Sequence, residues 1–143
     1  MTWTTRPRSK RDGIAYVVAG QGPHVLFLHG VGLRAEAWGA QIDALVAAGF
    51  RVMAPDMLGH GETPFAPAQS IAEYAAPLAA FLETQTVIVG HSMGAMMAVE
   101  LASSYAQNVR GVAALNAIYQ RDAAAKAAVQ SRVAALDGVT QSD

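Results

Sequence analysis

With 143 residues, 52% of them hydrophobic and 15% charged, the chain has material for one ordinary domain and is too apolar to stay disordered. A net charge of -1 without a basic run argues against nucleic acid and anionic membrane as partners, and the lack of cysteine excludes disulfides and thiolate metal sites. The start, Met1 to Arg6, carries no apolar signal region, and no apolar stretch is long enough to cross a bilayer, so the expected setting is cytoplasmic.

In chain order, Thr2 to Lys10 is polar and tolerant of strand, a candidate edge strand that Pro7 limits. Gly13 to Val18 is a better strand. The turn Gly20-Gln21-Gly22-Pro23 predicts that these early strands form an antiparallel edge. Val25 to Leu28 is a continuous apolar run, the pattern of a parallel strand covered on both faces, and it leads into His29-Gly30-Val31-Gly32. From Ala35 to Ala48, Trp38, Ile42, Leu45 and Val46 recur at helical spacing, with Gly49 placed to stop the helix. Phe50 to Ala54 is the next strand, followed by the loop Pro55 to Glu62.

Ser70 opens a helix and Glu73 is positioned to complete a capping box. Ile71, Tyr74, Leu78 and Leu82 share its inward face, and Pro77 predicts a kink or a later helix start. Thr86 to Val89 reads as strand, and the segment after Gly94, apolar on most sides, as a central helix to about Tyr105. Val109 to Leu115 reads as another buried strand ending in Asn116. Asp122 can cap a last helix, rich in alanine to Ala135, with Gly138 placed to stop it. Its narrow stripe of Ala125, Val129, Val133 and Leu136 suits a lid or partner contact, and Thr140 to Asp143 reads as a mobile tail. Alternating strands and helices predict an α/β fold with a mainly parallel sheet and helices on both faces.

Between strand and helix lies Gly90-His91-Ser92-Met93-Gly94, with no room for a loop. A serine on so tight a corner, flanked two residues either side by glycine, projects its hydroxyl above the sheet at the positive end of a helix. Ser92 is therefore the candidate nucleophile. Three glycine-bearing loops, 29–32, 56–61 and 90–94, fall at the C-terminal ends of strands, where such sheets bind their ligands.

His29-Gly30-Val31-Gly32, Trp38, Asp56-Met57-Leu58-Gly59-His60-Gly61-Glu62 and Gly90-His91-Ser92-Met93-Gly94 together resemble the α/β-hydrolase superfamily, in order and spacing most like its small cap-bearing esterases, lactonases and carbon–carbon bond hydrolases. The resemblance runs from about Gly13 to Ala117. It implies Ser92 as nucleophile, an oxyanion hole from the backbone N–H groups of Met93 and Val31, and loop-holding roles for His29 and His60. It implies a small-molecule substrate and neither a metal nor an organic cofactor. Leu33, Met96 and Phe65 are candidate pocket residues. By this resemblance residues 1–118 form the N-terminal part of the hydrolase core, ending after the sixth strand, and 119–143 begin the cap.

A serine nucleophile needs a base, and the base an orienting acid. The family's order is serine, acid, histidine, yet His24, His29, His60 and His91 all precede Ser92. Asp56 reads as a loop cap, and Asn116 is not a carboxylate. The expectation is that a second polypeptide, such as the C-terminal part of one cleaved precursor, supplies acid and histidine and covers an otherwise bare edge strand. Carbon–carbon bond cleavage would use the same residues. Three other readings are a non-catalytic hydrolase-fold module, a dinucleotide-binding domain built on Gly30-Val31-Gly32-Leu33-Arg34-Ala35 with Asp56 on the ribose, and an aspartate-nucleophile relative. Ser92 at the corner argues against the last.

Overall fold

In the computed structural model, which describes residues 4–118 and 120–135, the chain opens with a hairpin. Strands β1 (Ser9–Arg11) and β2 (Ile14–Ala19) turn at Asp12-Gly13, both with positive φ (50° and 82°). This Asp-Gly pair is the hairpin signal. The Gly20 to Pro23 turn, by contrast, does not join hydrogen-bonded neighbours. It carries the chain to β3 (His24–Leu28), while β2 pairs antiparallel with β4 (Arg51–Pro55). With β5 (Thr86–His91) and β6 (Val109–Leu115) the sheet reads β1-β2-β4-β3-β5-β6, parallel from β4 onward. The edge strand begins only at Ser9; residues 4–8 lie outside the sheet.

Two apolar layers sandwich the sheet. Leu26, Leu28, Met53 and Ile88 face one side, packed by α2 (Ile71–Ala75), the 3₁₀ turn Ala76–Phe81 and α3 (Met93–Ser104). Val17, Val25, Phe27 and Val52 face the other, packed by the 3₁₀ turn Ala35–Trp38 and α1 (Gly39–Ala47). Trp38 stacks on Phe27 with ring centroids 4.6 Å apart. The alternation of faces follows the period of two along each strand.

Local signals act as their chemistry predicts, with adjustments. Ser70 Oγ accepts the Glu73 N–H, but the Glu73 carboxylate accepts from Gln69 rather than from Ser70 itself. Pro77 breaks the α-helical ladder, and the chain continues as a 3₁₀ turn. Asp122 caps α4 (Ala123–Ala134), accepting the Ala125 N–H at 2.8 Å. The helix stop at Gly138, Leu136 of the apolar stripe and the tail to Asp143 lie outside the described residues.

Two expectations of burial are corrected. β6 is not a buried strand: it is the sheet edge, Val112 and Leu115 are 38% and 47% exposed, and none of its residues is fully buried. An apolar run reads identically whether its cover lies within the chain or beyond it. Likewise α3 is central only on one side: Met97, Ala98 and Leu101 are buried, but Val99 is exposed.

Candidate active site

At the end of β5 the backbone turns into α3 through Ser92, whose φ of 55° and ψ of -118° lie in a region side chains rarely occupy. Such a conformation costs about 1–3 kcal/mol and persists only where its surroundings enforce it. Here the Ser92 N–H donates to the Leu115 carbonyl on β6 at 2.9 Å, and the Ser92 carbonyl accepts from Ala95 and Met96. Both flanking glycines are required by close approach. A Cβ on Gly90 would fall 2.2 Å from the Gly94 carbonyl oxygen, and one on Gly94 would fall 2.2 Å from that of Leu28. The Ser92 side chain makes no cap bond and stays partly open to solvent.

The loop after β3 runs directly beside this corner: a Cβ on Gly30 would lie 3.4 Å from Cβ of Ser92. Among the described residues, the N–H groups of Val31 and Met93 have no hydrogen-bond partner in any turn, loop or cap. Free amides flanking a hydroxyl are the donors that a developing oxyanion needs.

Three bonds lace this loop to the loop after β4. His29 Nε2 accepts the Met57 N–H at 3.0 Å, His60 Nε2 accepts the Gly32 N–H at 3.0 Å, and Asp56 Oδ1 accepts the Ala35 N–H at 2.8 Å. These bonds fix the tautomers, so Nδ1 of His29 donates to the Gly30 carbonyl and Nδ1 of His60 to that of Leu58. Gly32, Gly59 and Gly61 carry positive φ at the loop turns, and Gly61 sits against the Asp56 carboxylate. Burial pushes the His29 pKa down to about 4, and the neighbouring His60 ring adds to this, against the opposing bond to Gly30.

Asp56 has a fuller role than a loop cap. It is completely buried and pairs with Arg8, which also grips Glu36; all three side chains are 3% exposed or less. Arg8 and Glu36 carried no local signal, because the pairing spans 28 and 48 residues of sequence. Burial alone would raise the Glu36 carboxyl, but bonds from Arg8, the Arg6 amide and Arg34 outweigh it and hold its pKa at about 2. Thr63 ties the same region to β2, donating to the Asp56 carbonyl and accepting the Ala15 N–H. With four donors on its carboxylate, Asp56 has no lone pair to offer a ribose hydroxyl, which overturns the dinucleotide reading.

His91 points away from the first core layer, its Nε2 accepting from Asn116 Nδ2 at 3.2 Å. His24 opens β3 half-buried, with Nδ1 buried and unpaired. A cavity of about 270 Å³ beside the corner is walled by Leu33, Trp38, Gln41, His91 and Leu115, among others. Met96 and Phe65 do not line this cavity; Phe65 is 79% exposed and packs over Gly59. Among the described residues no cluster of His, Asp and Glu could hold a metal ion, and no helix is long and apolar enough to cross a membrane.

A family model described as "Alpha/beta hydrolase family" matches residues 25–141. Bifunctional epoxide hydrolase 2 of Sus scrofa is 38% identical over 110 residues, 71% of this chain and 20% of that one. (E)-2-((N-methylformamido)methylene)succinate hydrolase of Acinetobacter baylyi is 33% identical over 126 residues, 85% of this chain and 48% of that one. Among solved structures, the thioesterase domain from the curacin biosynthetic pathway superposes with a TM-score of 0.76 at 25% identity, covering 94% of this chain and 53% of that one. The chain therefore spans about half the length of two of these relatives and a fifth of the third.

Proposed function

The chain belongs to the alpha/beta hydrolase family, and from that premise we propose that it is the nucleophile-bearing part of a serine hydrolase acting on a small ester, lactone or related carbonyl compound. Ser92 Oγ gives its proton to a histidine and attacks the carbonyl carbon, and the carbonyl π electrons move to the oxygen. The N–H groups of Met93 and Val31 donate to that oxyanion. Collapse expels the leaving group, which takes the proton back from the imidazolium, and water then releases the acid from the acyl-serine. The observation that carries this reading is the Ser92 backbone, held at positive φ beside two unpartnered amides.

The base comes from outside these residues. His29 and His60 each use both ring nitrogens on the loops, and His91 is engaged by Asn116. We assign histidine and acid to a second polypeptide seated along β6, whose open edge and exposed Val112 and Leu115 favour such a seat. The names of the relatives span epoxide, enamide-type and thioester chemistry. Hydroxyl rather than carboxylate at the corner favours acyl transfer over epoxide opening, and a carbon–carbon substrate would use the same groups.

The test is labelling by a fluorophosphonate, with intact-mass analysis of the purified material. One adduct on Ser92, lost in Ser92→Ala, and a co-purifying second chain are the expected results. Neither adduct nor partner would leave a non-catalytic binding module.

A further inference from the structure

Arg8 lies far from Ser92 in sequence and outside every strand, yet its guanidinium is buried. All five of its N–H donors are used. Nε and Nη2 bond the two oxygens of Asp56 at 3.0 and 3.3 Å, Nη1 and Nη2 bond the two oxygens of Glu36, and Nη1 also bonds the Arg6 carbonyl at 2.7 Å. The carboxylates are equally committed. Asp56 holds the Ala35 and Glu62 amides; Glu36 holds the Arg6 amide and Arg34 Nε. Asp56 therefore ties the loop after β4 to the loop after β3, which runs beside Ser92 at Gly30, while Glu36 holds the N-terminal segment and Arg34 to the same guanidinium. Val31 sits between the anchor at His29–Met57 and the anchors at Gly32–His60 and Ala35–Asp56.

We propose that Arg8 is a positioning residue for the Val31 amide: its double fork orients the Asp56 carboxylate, which sets the 29–36 loop against the nucleophile. This rests on the assignment of Ser92 and Val31 above. A lysine keeps the charge but offers no fork, so Asp56 and Glu36 lose their fixed orientation while the cluster keeps its cation. Stabilisation of an oxyanion is felt in the transition state and not in substrate binding.

Arg8→Lys is the variant to make, with Arg11→Lys as the control, since Arg11 pairs with Glu83 on the same edge and touches neither loop. In the assembled enzyme, with sites counted by fluorophosphonate titration, Arg8→Lys lowers kcat per titrated Ser92 about tenfold with KM within twofold, and Arg11→Lys changes neither. Hydrogen exchange of the protein as purified gives a readout free of catalysis: the Val31 and Gly32 amides exchange faster in Arg8→Lys and not in Arg11→Lys. Unchanged kcat and unchanged exchange in Arg8→Lys overturn the proposal, as does a loss that disappears once sites are counted. Should Ser92→Ala retain full activity, the nucleophile assignment fails instead, while the exchange result still reports on Arg8.

Discussion

The imidazole of His29 accepts the Met57 N–H at 3.0 Å, joining the loops after β3 and β4 through a ring that must stay neutral to do so. Its pKa is lowered by burial from 6.5 to about 4. Because the folded value is depressed, the unfolded chain binds the extra proton first. Stability is therefore fully present above pH 6.5 and falls as the pH drops toward 4, by about 3 kcal/mol. Glu36, lowered to about 2, adds a second loss below pH 4.5. Urea titrations at pH 7, 5.5, 4 and 3 check this: His29→Gln flattens the upper part of the decline and leaves the lower part.

Gly94→Ala forces a methyl group to 2.2 Å from the Leu28 carbonyl oxygen. Strand and helix must part there, at a cost of about 2 kcal/mol or more. The urea midpoint falls, and fluorophosphonate labelling of Ser92 slows more than folding loss explains.

The strands and most helices were legible because apolar runs and turn residues act locally. The corner at Ser92 was legible for the same reason: Gly90 and Gly94 mark a packing demand that any sequence there must meet. The Arg8–Glu36–Asp56 cluster was not, since an arginine in a polar stretch looks solvated until its distant partners are known. The exposure of β6 was not either, because Val112 and Leu115 carry no mark of what covers them. Where Phe65 lies was not legible either: an aromatic near a glycine loop can pack over that loop and leave this cavity to its neighbours.

Val112→Lys places a charge on the open edge, where lysine discourages strand pairing. The variant keeps its far-UV circular dichroism but loses the second polypeptide on size exclusion. Retention of that polypeptide would move the interface away from β6.

Leu33→Ala and Phe65→Ala separate the cavity from the loop surface. Leu33 lines the 270 Å³ cavity, so its truncation raises KM for an alkyl-bearing ester about tenfold. Phe65, 79% exposed, changes KM by less than twofold and stability by about 0.5 kcal/mol at most. Steady-state kinetics on a short ester series distinguishes them.

The three imidazoles around the corner have their acceptor nitrogens occupied by the Met57 and Gly32 amides and by Asn116. Under the two-chain reading, that occupancy makes the isolated chain a latent enzyme, able to cradle an acyl group but not to abstract a proton. On that reading assembly would act as the safety catch, with hydrolysis beginning only once both halves had met.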